Sequence, residues 1–226
     1  ILHEYFSSII EVLNLINFKF NLVLHNSDHS FEEKHLKLFE ISNLNKIFNK
    51  NLNVNYSEKI IPISIGIANS QWPHGDLNSL NKILSILEKY KKNKTFYLNF
   101  RIKNNRKKRN LCYEKIKKSK FNIEEIPNLK YPEYLKCLVN YKFAICPEGN
   151  GLDTHRFWEC LYLKVIPVCL KNQITIFYNQ YFPILLLNHW DEINNINIDE
   201  IYNNADWKNY HLLNFSILTN KFDDFT

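Results

Sequence analysis

The sequence predicts an α/β fold, with a mostly parallel sheet covered by helices on both faces. Three observations carry this. Strand-like and helix-like patterns alternate along the chain instead of falling into separate blocks. The run at 165–169 is continuously apolar and 95–100 reads as a buried strand, as in strands covered on both faces. The third observation is the segment 143–159, Phe-Ala-Ile-Cys-Pro-Glu-Gly-Asn-Gly-Leu-Asp-Thr-His-Arg-Phe-Trp-Glu. It reads as a strand ending at Pro147, a tight Gly149-Asn150-Gly151 loop and a helix opened by Asp153. The chain has only four glycines in 226 residues, so a pair of them here marks a built turn. Such a junction offers backbone N–H groups at a positive helix end, which suits an anion such as a diphosphate. With the next strand over 163–169, the unit places a ligand site at the carboxyl edge of the sheet.

The elements follow in order. Residues 2–17 put Phe6, Ile9, Ile10, Leu13 and Ile16 on one helical face. A strand at 20–24 leads into a polar loop, 25–30, and a short helix over 31–39. Strands follow at 46–48 and 59–65. Residues 66–75 are rich in turn formers and have no regular period, so they read as a linker or cleft wall. Asp76 caps a helix carrying Leu77, Leu80, Ile83, Leu84 and Leu87. A buried strand at 95–100, a basic helix at 106–118 and a short strand near 121–123 come next. Residues 132–139 form a helix with Pro132 in its first turn. After the 143–169 block come a strand at 184–187, short helical pieces at 190–193 and 198–202, and a helical tail from Trp207. The expected division is 1–75, 76–206 and a tail, 207–226.

The bulk numbers bound the function. The formal charge is +6, and Lys, Asn and Ile are abundant together, so the basic balance reads as compositional bias and no nucleic-acid partner is expected. The basic run 101–109 is not interleaved with aromatics, which weakens a stacking platform for single strands. Five cysteines, at 112, 137, 146, 160 and 169, include no CxxC pair. Those at 146, 160 and 169 sit in apolar runs as small hydrophobes. This pattern argues for a reducing, cytoplasmic setting, without a disulfide framework or zinc site. No apolar stretch approaches a membrane span, so no integral membrane segment is expected.

Three constellations carry candidate chemistry. Arg156 and Glu159 share a helical face, with Asp153 one turn earlier. An Arg there grips a diphosphate bidentately, and a carboxylate one turn on accepts hydrogen bonds from ribose hydroxyls. Taken alone, Asp153 reads as an N-cap and Arg156–Glu159 as a surface ion pair. The glycine loop before them and the Ile166-Pro167-Val168 strand after them favour a ligand site. Arg101 and Arg106 follow the 95–100 strand and offer a second phosphate contact, while Lys107, Lys108 and Arg109 read equally as a solvated face. In the 25–30 loop, Asp28, His25 or His29 is either a general base or part of a polar turn in which Asp28 caps the next helix. His74 either touches substrate or is an ordinary loop histidine.

Residues 143–169 resemble the signature of exostosin-like glycosyltransferases: a strand, Pro-x-Gly, an Asp, an Arg followed by an aromatic and Glu, and an Ile-Pro-Val strand. The form here is especially similar to bacterial and viral members. Asn99-Phe100-Arg101 with Asn104 and Arg106, and the strand end at 62–66, are weaker likenesses; the whole spans residues 20–190. The resemblance implies a GT-B-like fold of two Rossmann-type halves facing across a cleft. The second half would hold a nucleotide-sugar donor and the first a glycan or other hydroxyl acceptor. It implies a donor site drawn from Arg101, Arg106, Gly149, Asn150, Gly151, Asp153, His155, Arg156 and Glu159. Within that set, Arg156 and the loop amides meet the diphosphate, and Glu159 meets the ribose or sugar. It implies inverting transfer with a base from the first half, no cofactor and no metal, because basic groups and helix dipoles stabilise the leaving nucleotide. The chain departs from the pattern twice. Lys164 stands where these proteins usually have a small residue, and the part before Gly66 is short, so an abbreviated N-terminal half is expected. A non-catalytic nucleotide- or glycan-binding module derived from a transferase stays open as the alternative. Weaker still is nucleic-acid binding through 101–109, whose mark is a steep salt dependence.

Overall fold

Two parallel sheets, one of three strands and one of four, organise a computed structural model that describes residues 6–25, 27–121 and 123–213. Helix α1 (Phe6–Asn14) precedes the first sheet, whose order is β1 (Phe20–Leu24), β2 (Leu44–Asn49), β3 (Ile60–Pro62). Phe20 pairs with Leu44, and Ile47 with Ile60. Its core gathers Phe31, Leu38, Ile47 and Leu52, with Ile10 and Leu13 of α1 packed against it. The expected helix at 31–39 is a 3-10 helix, Glu33–Glu40.

The second sheet has the order β4 (Lys94–Tyr97), β5 (Tyr141–Ile145), β6 (Ile166–Leu170), β7 (Leu185–Leu187), again all parallel. Side chains alternate across it, so neighbours in β5 serve different faces. Ala144 joins Leu80 of α2 (Leu77–Leu84), Leu135 of α4 (Tyr131–Leu138) and Leu161 of α5 (His155–Tyr162) in one core. Phe143 and Ile145 join Cys112 and Ile116 of α3 (Arg106–Lys117) and Ile193 in the other. Both faces are thus covered by helices, as in parallel sheets generally. The short helix α6 (Gln173–Tyr178) links β6 to β7, and α7 (Ile198–Asn203) follows β7.

Several expected boundaries move, each for a local reason. Asp76 does cap α2, accepting from Ser79 N–H at 3.1 Å. The motif helix, however, begins at His155 with Thr154 as its N-cap. Asp153 lies outside it because its carboxylate turns back to other donors. The strand expected at 59–65 ends at Pro62, since the chain then leaves the sheet to meet the second half. Of the strand expected near 121–123, Asn122 lies outside the described residues, and pairing occurs instead as a single bridge between Leu98 and Glu125. The tail shows one 3-10 turn, Tyr210–Leu213, with Leu213 buried; residues 207–209 before it are coil and turn, not the expected helix, and 214–226 lie outside the described residues. Among the described residues, no helix is long and apolar enough to cross a membrane.

The two sheets turn their carboxyl edges toward the same loop, 149–155. Asn51 after β2 and Ile65 and Gly66 after β3 all bond to it. Ile174 of α6 is buried in the first sheet's core. A ligand site between carboxyl ends of strands is where open α/β sheets place it.

Candidate functional site

The glycine loop is held from both sides. Asn51 Oδ1 accepts from the N–H groups of Leu152 at 2.9 Å and Asp153 at 3.3 Å, while Asn51 Nδ2 donates to the Ser27 carbonyl at 2.7 Å. A Cβ on residue 151 would meet Asn51 Oδ1 at 2.6 Å, so glycine is required there by close approach. From the other side, Asn105 Nδ2 donates to the Gly149 carbonyl at 2.8 Å, and Arg109 Nε donates to the Glu148 carbonyl at 2.8 Å. Arg109 Nη1 also donates to the Arg101 carbonyl at 2.9 Å. Arg109 is buried and therefore not part of a solvated basic face.

This bracing uses up part of the anion cradle the sequence suggests. Gly149 N–H donates to the Gly151 carbonyl and Thr154 N–H to Asp153 Oδ1. The amides of Asn150, Gly151, His155 and Arg156 have no acceptor among the described residues. Asp153 is likewise occupied. Oδ2 accepts from Ile65 N–H at 2.7 Å, and Trp158 Nε1–H donates to the carboxylate at 2.9 Å. Burial pushes its pKa up to about 7 against these donors. It joins the two halves, and both of its oxygens accept from protein donors; this differs from its expected place in a donor site.

Arg156 is the most unusual side chain in the cleft. Its guanidinium carbon lies 5.4 Å from the Tyr97 ring centroid and 5.0 Å from that of Tyr134. Nε and Nη1 are buried without a hydrogen-bond partner. Among the described residues no ion pair joins it to Glu159. Instead Glu159 Oε2 accepts from the Tyr134 hydroxyl at 2.6 Å. Burial raises the Glu159 pKa, and the Tyr134 hydrogen bond opposes that shift. Buried donors without acceptors are costly and rare in finished cores. Here they cluster at the first turn of a helix, where an anion is already favoured.

The remaining expected residues are placed as follows. Arg101 is exposed and lines an open cavity of about 480 Å³ with Asn99, Phe100 and the 125–128 segment. Arg106 is exposed at the start of α3. Asp28 does not cap the next helix, whose N-cap is Glu32. Its carboxylate, 58% exposed, lies 4.0 Å from Lys50 Nζ, whose side chain is only 8% exposed. His25 and His29 are exposed on the same loop. His155 is half-buried, with Nδ1 2.8 Å from the Gly66 carbonyl, and its ring lies 5.9 Å from that of His74. Gly66 has φ +62°, a left-handed conformation that turns this carbonyl toward the second half. His74, in turn, stacks on Trp72.

Sequence reasoning missed Asn51, Lys50, Asn105, Arg109, Tyr97 and Tyr134. The first four sit in Asn/Lys-rich stretches that look like background, and the tyrosines look like ordinary apolar positions of a strand and a helix.

The fold and the site together define a two-sheet parallel α/β protein whose two sheets meet through hydrogen bonds at the glycine loop. No family model matches the chain, and no curated protein matches it.

Proposed function

We propose that this chain is a glycosyltransferase that binds a nucleotide diphosphate sugar through Arg156 and transfers the sugar to a hydroxyl of a glycan acceptor. The observation that carries this reading is Arg156 itself: a guanidinium held between Tyr97 and Tyr134 with Nε and Nη1 buried and unpartnered. A diphosphate supplies the missing acceptors, and Arg matches its geometry with paired N–H bonds. The free amides of His155 and Arg156 add donors at the same helix start. Glu159, one turn on, is the acceptor for ribose or sugar hydroxyls. The likeness of 143–169 to exostosin-like transferases supports the sugar donor over a simple phosphate ligand. No protein group of the reading requires a metal, since the positive charge at the leaving diphosphate comes from Arg156 and the helix end.

The test is a thermal-shift panel of uridine, guanosine and cytidine diphosphates and their sugars. A true ligand at 100 times its Kd stabilises the fold by about 2.7 kcal/mol. A panel in which no nucleoside diphosphate raises the melting temperature at millimolar concentration defeats the proposal.

A further inference from the structure

The cleft holds an imidazole whose tautomer is set by its neighbour. A carbonyl oxygen only accepts, so the 2.8 Å contact to Gly66 requires the hydrogen of the neutral His155 ring on Nδ1. The lone pair is then on Nε2, which makes no hydrogen bond among the described residues. The His74 ring, in the 66–75 segment, lies 5.9 Å away, and the charges of Lys50 after β2 and Asp28 after β1 act on the ring. Burial lowers the His155 pKa; the Gly66 carbonyl opposes this, Lys50 adds to it, and Asp28 opposes it. The neutral ring is therefore the resting form near neutral pH.

Position agrees with chemistry. His155 precedes Arg156 on α5. Arg156 reaches Tyr97 and Tyr134 of the second half, while His155 bonds to Gly66 of the first. A sugar whose diphosphate sits on Arg156 has its acceptor arriving from the side of His155.

We propose that His155 Nε2 is the general base that takes the proton of the acceptor hydroxyl, an inference that rests on the sugar-transfer reading above. As the acceptor oxygen bonds to the anomeric carbon, the bond from that carbon to the diphosphate oxygen breaks. The hydroxyl proton passes to Nε2, and the nucleoside diphosphate leaves with the bonding pair. The imidazolium then returns its proton to water. Asp28, the base expected from sequence, faces Lys50 instead, and His155 moves from the donor set to the acceptor side.

The test uses His155→Asn, whose amide keeps a donor near the Nδ1 position for Gly66 but has nothing at Nε2. Nucleoside diphosphate affinity is measured by calorimetry. Consumption of the nucleotide sugar is measured with glycan acceptors and with water as acceptor. Affinity should stay within about twofold, while turnover falls about 10²-fold or more. Free imidazole should restore part of the turnover of His155→Ala. Full turnover in His155→Asn, or a loss in His155→Ala that imidazole does not rescue, overturns the base. A loss of nucleotide affinity in His155→Asn also overturns it and returns His155 to the donor site. A wild-type protein that binds nucleoside diphosphate but consumes no nucleotide sugar overturns the base and leaves the anion site standing. One that binds no nucleoside diphosphate defeats the sugar-transfer reading itself.

Discussion

Arg156 carries opposite consequences for stability and for binding. A buried guanidinium with unpartnered donors costs the fold desolvation energy that only part of the tyrosine contact recovers. Replacing it breaks no hydrogen bond among the described residues, and the buried Glu159, which loses a favourable charge, can take up a proton instead. Arg156→Met keeps an unbranched stem between Tyr97 and Tyr134 and removes the donors. We expect its denaturation midpoint to match or exceed that of wild type, while nucleoside diphosphate binding weakens by about 1.5–3 kcal/mol. Stability that falls instead would make Arg156 a structural residue. This residue was legible in sequence because the glycine loop, the Arg and the Glu occupy fixed offsets in one short segment. Asp153 belonged to the same segment and was read as a cap or ligand contact. Its partner Ile65 lies 88 residues away, and no local pattern reveals such a partner. The same holds for Asn51, whose carboxamide is matched to a loop 101 residues later.

The junction between α5 and β6 shows how one element constrains a residue. Lys164 has φ +51°, directly after the last turn of α5, the position where helices usually end in glycine. Lys164 is tolerated with its amine 2.9 Å from Glu88 and over the Tyr210 ring, and an exposed pair of this kind contributes little. Lys164→Gly relieves the left-handed strain but adds freedom to the unfolded chain, so chemical denaturation should show a change within about 0.5 kcal/mol. Lys164→Val places a β-branched side chain at positive φ and should cost about 1–2 kcal/mol more than the glycine variant. Equal stabilities for the two variants would show that backbone conformation is not what limits this site. At this scale the sequence was most readable. Apolar periodicity located the strands and most helices, because each depends mainly on its own residues and a sheet that buries both faces. It misjudged where β3 stops and where α5 starts, since both boundaries are set by hydrogen bonds to the opposite half.

Across the whole molecule, the seam between the halves is built from groups that titrate near neutrality, so its stability should depend on pH in a way that single variants can separate. His155 and His74 both have pKa values lowered from 6.5, burial being the largest cause for each. A depressed imidazole favours the neutral form in the fold, so its contribution is present above pH 6.5 and is lost as pH falls through the folded value. Asp153 has the opposite sign. Raised from 3.8 to about 7, its contribution is full below 3.8 and is lost as pH rises through about 7. Acidification from neutral pH therefore weakens the seam through the histidines and strengthens it through Asp153. The wild-type melting temperature alone reports only their balance. His155→Asn removes one term and keeps both Asp153 and a donor for Gly66. Between about pH 7.5 and 5.5, this variant should lose less stability than wild type, or gain more. Thermal melts of the two proteins at both pH values measure the difference directly. Parallel shifts in the two proteins would mean that His155 is not held neutral at the seam, and the resting lone pair on Nε2 that the acceptor chemistry requires would go with it.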